Sequence, residues 1–174
     1  LRVASALRDP LVALLPGLSR SSGSQYRSSD VGIGARVAPA TNAWLPIGFV
    51  GSARRHHAAA VVDGPPDAVG GYDRSSYVSS GERFDPATNA WSPIASMGSA
   101  RRYHAAAVVD GLLYAIGGSD GSSYVSSGER FDPATNAGSP VASMGSARDQ
   151  HPAAGGAGLL SPLGGEDGCI CVGR

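Results

Sequence analysis

Lysine is absent from this chain of 174 residues, so all 14 of its basic side chains other than histidine are arginines. That removes the lysine-dependent chemistries, the phosphate-binding P-loop and the Schiff base among them. Cysteine is nearly as scarce. Only Cys169 and Cys171 occur, spaced C-x-C at the end of the sequence, which excludes a disulfide framework and leaves a zinc site short of ligands. Aromatic residues make up 6% of the chain and the formal net charge is zero. A balanced charge offers no basic stripe to nucleic acid or to an anionic membrane, so neither is expected as a partner. Long apolar runs are missing as well. The stretch from Leu11 to Leu18 holds a proline and falls far short of the roughly 20 residues a membrane-spanning helix needs. It also lacks the pattern of a secretory signal, and a cytoplasmic location is the resulting expectation.

Glycine and proline are plentiful, 37 residues together, which suits short strands and many turns better than long helices. They are also periodic. His57, His104 and His151 recur every 47 residues, as do Pro39, Pro86 and Pro133 and the pairs Gly70-Gly71, Gly117-Gly118 and Gly164-Gly165. The segments SSGERFDPATNAWSPIASMGSAR (79–101) and SSGERFDPATNAGSPVASMGSAR (126–148) are nearly identical, with Gly138 in the place of Trp91. A fixed period of this length marks a repeat architecture, and the chain divides into a degenerate unit 1–53, two well-preserved units 54–100 and 101–147, and a partial unit 148–174.

One unit reads as four strands. In HAAAVVDGLLYAIGG (104–118), Asp110-Gly111 separates two apolar runs, a tight-hairpin signal because glycine supplies the positive φ such turns require. The first run is alanine and valine and the second carries leucine, tyrosine and isoleucine, as a wedge-shaped sheet would need if its first strand were crowded near an axis. GERFDP (128–133) predicts a third strand stopped by proline, PATNA a turn, and WSPIASM (91–97) a fourth strand whose proline is tolerable at an edge. Four short strands per unit of this length predict an all-β fold of β-propeller blades. Unit 54–100 is expected to be weakened by Pro65 and Pro66 in its second strand, where Asp67 stands in the position of Tyr114.

The order R-x-x-H, apolar strand, Asp-Gly, apolar strand, Gly-Gly, GERFDPATNAW resembles the kelch repeat, most closely the C-terminal repeats of kelch-like proteins that carry BTB domains. The resemblance implies a kelch-type propeller of four-stranded blades, and about six blades where this chain has fewer than four, so a partial propeller is expected: part of a longer protein, or a chain that self-associates to complete a ring. It further implies a non-enzymatic protein-interaction module, like the substrate-recognition part of adaptors for cullin-based ubiquitin ligases or like kelch proteins that bind actin. The loops that would meet a partner carry Arg54, Arg101 and Arg148, Tyr72 and Arg74, and Ser119, Asp120 and Tyr124. Arginine and tyrosine dominate binding hot spots, and arginine pairs bidentately with carboxylates, so an acidic peptide is the natural partner. The arginines can equally serve the blades as structural ion pairs. The repeated histidines are read as strand-start positions in separate blades rather than metal ligands, and Glu82 and Glu129 as turn supports. No cofactor and no catalytic constellation are expected. The alternatives are an enzyme on a kelch propeller, such as a copper oxidase or sugar-processing enzyme, or a non-functional truncated duplicate.

Overall fold

A computed structural model describes residues 12–13, 34–38, 42–48, 50–156 and 158–166. It shows strands and turns and, among these residues, no helix. The strands are β1 (Val12–Ala13), β2 (Gly34–Ala38), β3 (Ala43–Ile47), β4 (Ala58–Val61), β5 (Pro66–Val69), β6 (Gly81–Asp85), β7 (Ala90–Ile94), β8 (Ala105–Val109), β9 (Leu112–Ile116), β10 (Gly128–Asp132), β11 (Ala137–Val141), β12 (Ala153–Gly156) and β13 (Leu159–Pro162). Two antiparallel sheets have four strands each, ordered β4-β5-β6-β7 and β8-β9-β10-β11, and both are blades of kelch-propeller type. The strands β1-β2-β3 and the hairpin β12-β13 flank them in sequence. Cys169 and Cys171, and most of 1–33, lie outside the described residues.

The turn chemistry explains the sheets. Asp110 (φ 50°) and Gly111 (φ 76°) join β8 to β9 in the doubly positive geometry of a tight hairpin, and Asp63 (φ 54°) and Gly64 (φ 106°) repeat it between β4 and β5. The third strand ends on Asp132, whose carboxylate accepts the Ala134 amide at 2.8 Å and the Thr135 hydroxyl at 3.0 Å. Asp85 does the same for Ala87 and Thr88. These bonds stabilise the ionised form and hold both carboxyls below the usual range. Each turn closes on an asparagine at positive φ, Asn89 or Asn136.

Pro66 and Asp67 shorten the pairing of β5 without abolishing it. β5 pairs with β6 over Asp67 to Val69, three positions, where β9 pairs with β10 over four. Asp67 is fully buried and receives Arg83 in two hydrogen bonds, Nε to Oδ1 at 2.6 Å and Nη2 to Oδ2 at 2.7 Å. The aspartate that stands in the tyrosine's position thus has a bidentate partner directly across the ladder. Burial still pushes its carboxyl up from the usual value, with Arg83 opposing.

The small-residue strands are the inner ones. β8 packs against β4 on one side and β12 on the other, close approaches that alanine side chains permit. Between the two blades lies a core of Ala58, Val62, Val69, Leu113 and Phe131, flanked by Ile94 and Val108. A second set of contacts is polar and recurs with the period. Glu82 accepts the amides of Gly51 (2.6 Å) and Ser52 (3.2 Å) in the preceding unit, and Glu129 accepts those of Gly98 (2.5 Å) and Ser99 (3.1 Å). Asn89 accepts the Gly48 amide and Asn136 the Ala95 amide. The repeated GERFDPATNA therefore serves two tasks, building the turn within a blade and fastening that blade to the one before it.

Candidate partner-binding face

Each unit opens with four residues of comparable kind: Arg54-Arg55-His56-His57, Arg101-Arg102-Tyr103-His104, and Arg148-Asp149-Gln150-His151. The first residue turns inward. Arg101, 1% exposed, donates to the carbonyls of Gly117 (3.0 Å) and Ser127 (3.1 Å), to the Ser127 hydroxyl and to Glu129 (2.9 Å). Arg54 makes the same contacts to Gly70, Ser80 and Glu82. Arg148 is half-buried and bonds the Gly164 carbonyl and the Ser146 hydroxyl. The expectation that Arg54 and Arg101 face a partner is corrected here. A planar guanidinium is the one side chain that can satisfy several diverging carbonyls and a carboxylate at once, so it is drawn into the gap where the second and third strands separate.

That gap is shaped by paired glycines. Gly70 and Gly117 both have φ of 65°, and a Cβ on either would stand 2.6 Å from the carbonyl oxygen of Arg101 or Arg148. The next glycine uses the approach: the amide of Gly71 donates to the Arg101 carbonyl (2.8 Å) and that of Gly118 to the Arg148 carbonyl (2.9 Å).

The fourth residue of each opening also turns inward. Burial, with the nearby Arg101 charge next in weight, pushes the His104 imidazole down to about 3, and burial and Arg54 lower His57 to about 4. His151 is lowered by the same causes. Neutral rings suit these sites, and among the described residues no group of three or more histidine, cysteine or acidic side chains is placed to hold a metal ion.

In the first two units the second and third residues turn outward and meet the loops that follow the paired glycines, whereas Asp149 in the third is buried. Arg102 lies between two aromatic rings, its guanidinium carbon 4.6 Å from the centre of Tyr77 and 4.9 Å from that of Tyr103. Arg55 lies over Tyr72 at 4.7 Å, and Tyr72 meets Tyr77 edge to face at 5.7 Å. The Tyr103 ring lies against His56, tilted by 38° with the ring centres 4.2 Å apart, and its hydroxyl is 3.2 Å from His56 Nε2. A continuous, half-exposed cluster of arginine and tyrosine thus runs across the boundary between the two blades.

Of the loop residues singled out in the sequence, Tyr72 belongs to this cluster, and its hydroxyl donates to the carbonyl of Arg74, which is exposed. Ser119 is buried and pairs with Arg102 through its backbone. Asp120 is exposed, but its carboxylate accepts the amides of Ser122 (2.8 Å) and Ser123 (2.9 Å), bonds that lower its pKa and commit it to its own loop. Tyr124 is exposed beside Asp149, whose charge raises its phenol. Arg55, His56, Tyr77, Arg102 and Tyr103 were not among the expected residues. Tyr77 and Tyr124 occupy the same place in SSYVSSGE, so the period alone marks Tyr77 once Tyr124 is chosen.

Comparison with known families agrees with this architecture. Residues 68–98 and 100–145 match the kelch motif. No curated protein matches the chain. The two matches fall on the two four-stranded antiparallel blades and support a kelch-repeat reading of that part of the chain.

Proposed function

We propose that this chain is a non-enzymatic recognition module that binds an acidic segment of a partner protein across the arginine and tyrosine cluster. The observation that carries the reading is Arg102 held between Tyr77 and Tyr103. Two rings fix the guanidinium without neutralising it, so its donors remain positioned for a carboxylate at little further cost in side-chain entropy. Arg74 and Tyr124, both exposed, extend the surface on either side. Arg54 and Arg101 support it from beneath. The resemblance to kelch-like proteins makes a cytoplasmic substrate adaptor of a cullin-type ubiquitin ligase the leading biological setting, with actin as the other partner it suggests.

Fluorescence anisotropy with a set of labelled acidic peptides tests the proposal. Saturable binding that weakens roughly tenfold in Arg102→Ala and in Tyr124→Ala, and falls as salt rises, supports it. Binding indifferent to both substitutions, or no saturable binding by any acidic peptide, refutes it. Co-sedimentation with filamentous actin separates the two settings.

A further inference from the structure

The polar joint between units has a third copy. In the first blade Glu82 accepts the amides of Gly51 (2.6 Å) and Ser52 (3.2 Å) and the Arg54 guanidinium (2.6 Å). In the second, Glu129 accepts those of Gly98 (2.5 Å) and Ser99 (3.1 Å) and the Arg101 guanidinium (2.9 Å). The same Gly-Ser-Ala-Arg recurs at Gly145, Ser146, Ala147 and Arg148. Its backbone is held as in the joint before it. The Met144 amide donates to the Ser126 carbonyl at 2.9 Å and the Arg148 amide to that of Val125 at 3.4 Å, as Met97 does to Ser79 (2.9 Å) and Arg101 to Val78 (3.4 Å).

The third copy differs in what meets its donors. Among the described residues no carboxylate accepts from Gly145, Ser146 or Arg148. The offset of 28 residues that leads from Arg101 to Glu129 leads from Arg148 past Arg174. Arg148 Nη1 keeps the glycine carbonyl, Gly164 at 2.9 Å, but Nη2, which bonds the glutamate in both other joints, turns to the Ser146 hydroxyl at 3.0 Å. A Cβ on Gly51 or Gly98 would stand 3.0 or 3.3 Å from a glutamate Oε2, whereas one on Gly145 would meet nothing within 4 Å. Gly145 and Ser146 are exposed and Arg148 is half-buried, so the three donors are open to solvent.

We propose that Gly145, Ser146 and Arg148 form a binding site for a glutamate side chain of a partner protein, carried on an extended segment laid against the edge of β13. Two amides and a guanidinium converging on one point select an anion over a neutral amide, because hydrogen bonds to an ionised acceptor are the stronger ones. The filled joints give the pose: Glu82 stands across the ladder from Ala68, and Glu129 from Ala115. Pro162 holds the place of Ala115 and brings no amide to the edge of β13, so the carboxylate contacts carry more of the recognition here than a strand ladder does. The site shares no residue with the arginine and tyrosine cluster, and either can fail alone.

The test is titration of the isotope-labelled 174-residue chain with acetyl-Gly-Glu-Arg-Phe-Asp-amide, the sequence of the strand that fills the other joints, followed by amide NMR. The Gly145 and Ser146 resonances are expected to shift together and to saturate. The same peptide with glutamine for glutamate should bind about tenfold more weakly, and Arg148→Ala should weaken the glutamate peptide by about as much. Unmoved Gly145 and Ser146 amides, or equal binding by the two peptides, would overturn the proposal. Shifts confined to the Arg102 and Tyr103 amides would overturn it too, while leaving the reading of the arginine and tyrosine cluster in place. Should a chain extended past Arg174 already protect the Gly145 and Ser146 amides from exchange without peptide, its own next strand is the ligand and the partner site falls. The comparison of glutamate and glutamine on the native chain decides the matter even if Arg148→Ala does not fold.

Discussion

Arg101→Ala and Arg102→Ala remove the same chemical group from adjacent residues, and their effects are expected to differ in kind. Arg101 is enclosed and makes four polar contacts, one of them a 2.9 Å ion pair with Glu129. Breaking a buried pair by deleting one partner costs about 3–5 kcal/mol when the other charge is stranded. Glu129 would not be wholly stranded, because the Gly98 and Ser99 amides still reach it. The lower figure is therefore expected, about 3 kcal/mol, with the Gly117 and Ser127 carbonyls left to find water. Arg102 is half-exposed and loses chiefly its contacts with two rings, about 1 kcal/mol. Urea denaturation followed by circular dichroism reads the difference as a change in midpoint at unchanged slope. In the peptide assay the order reverses, since a folded Arg102→Ala chain should have lost affinity. If Arg101→Ala costs less than about 1 kcal/mol, the structural assignment of the first arginine in each unit is wrong.

Other substitutions probe other joints. Gly138→Trp should stabilise by about 2 kcal/mol, since burying a large side chain and relieving a strand glycine both favour it and the nearest heavy atoms to its new Cβ are 3.8 Å away; thermal unfolding would show a rise of several degrees, and a fall would refute this reasoning. Trp91→Gly should destabilise by at least as much, losing the Gly48 hydrogen bond as well. Arg83→Ala strands the buried Asp67 and should cost about 3 kcal/mol, whereas Arg130→Ala, exposed and bonded only to the Ser139 hydroxyl, should cost below about 0.5 kcal/mol. Acid should loosen the blades through the histidines. The unfolded chain protonates each imidazole below about pH 6.5, while the folded rings of His57 and His104 stay neutral down to about 4 and 3. Their contribution is present in full above 6.5 and is lost as pH falls, by up to about 2 kcal/mol each at pH 5. A denaturation midpoint that stays level from pH 7 to pH 5 would contradict this, and His104→Asn should remove part of the slope.

The blades were legible because the signals that define them are local. Asp110-Gly111, the proline after Asp132 and the alternation of small and large strands each act over a few residues, and the 47-residue period repeats the message. The face was less legible because direction depends on partners far along the chain. Nothing in the dipeptides Arg54-Arg55 and Arg101-Arg102 says which guanidinium turns inward. That is decided by the open carbonyls of Gly70 and Ser80, or Gly117 and Ser127, and by a glutamate 28 residues on. Asp67 shows the same limit: as a departure from the repeat it reads as damage, and only the ladder position of Arg83 across from it reveals the compensating pair.

The contacts that fasten one blade to the next have a direction. Glu82, Asn89 and Trp91 reach back to residues 48–52, and Glu129 and Asn136 reach back to residues 95–99. The unit 54–100 thus carries both a hook, at 82–91, and an eye, at 95–99. Any tandem copy of 47 residues, wherever the cut falls, duplicates one hook together with one eye, so the new copy arrives with a fitting neighbour on both sides. An array joined this way lengthens by whole units without a new interface having to evolve, while a gain or loss of any other length would leave a hook facing no eye.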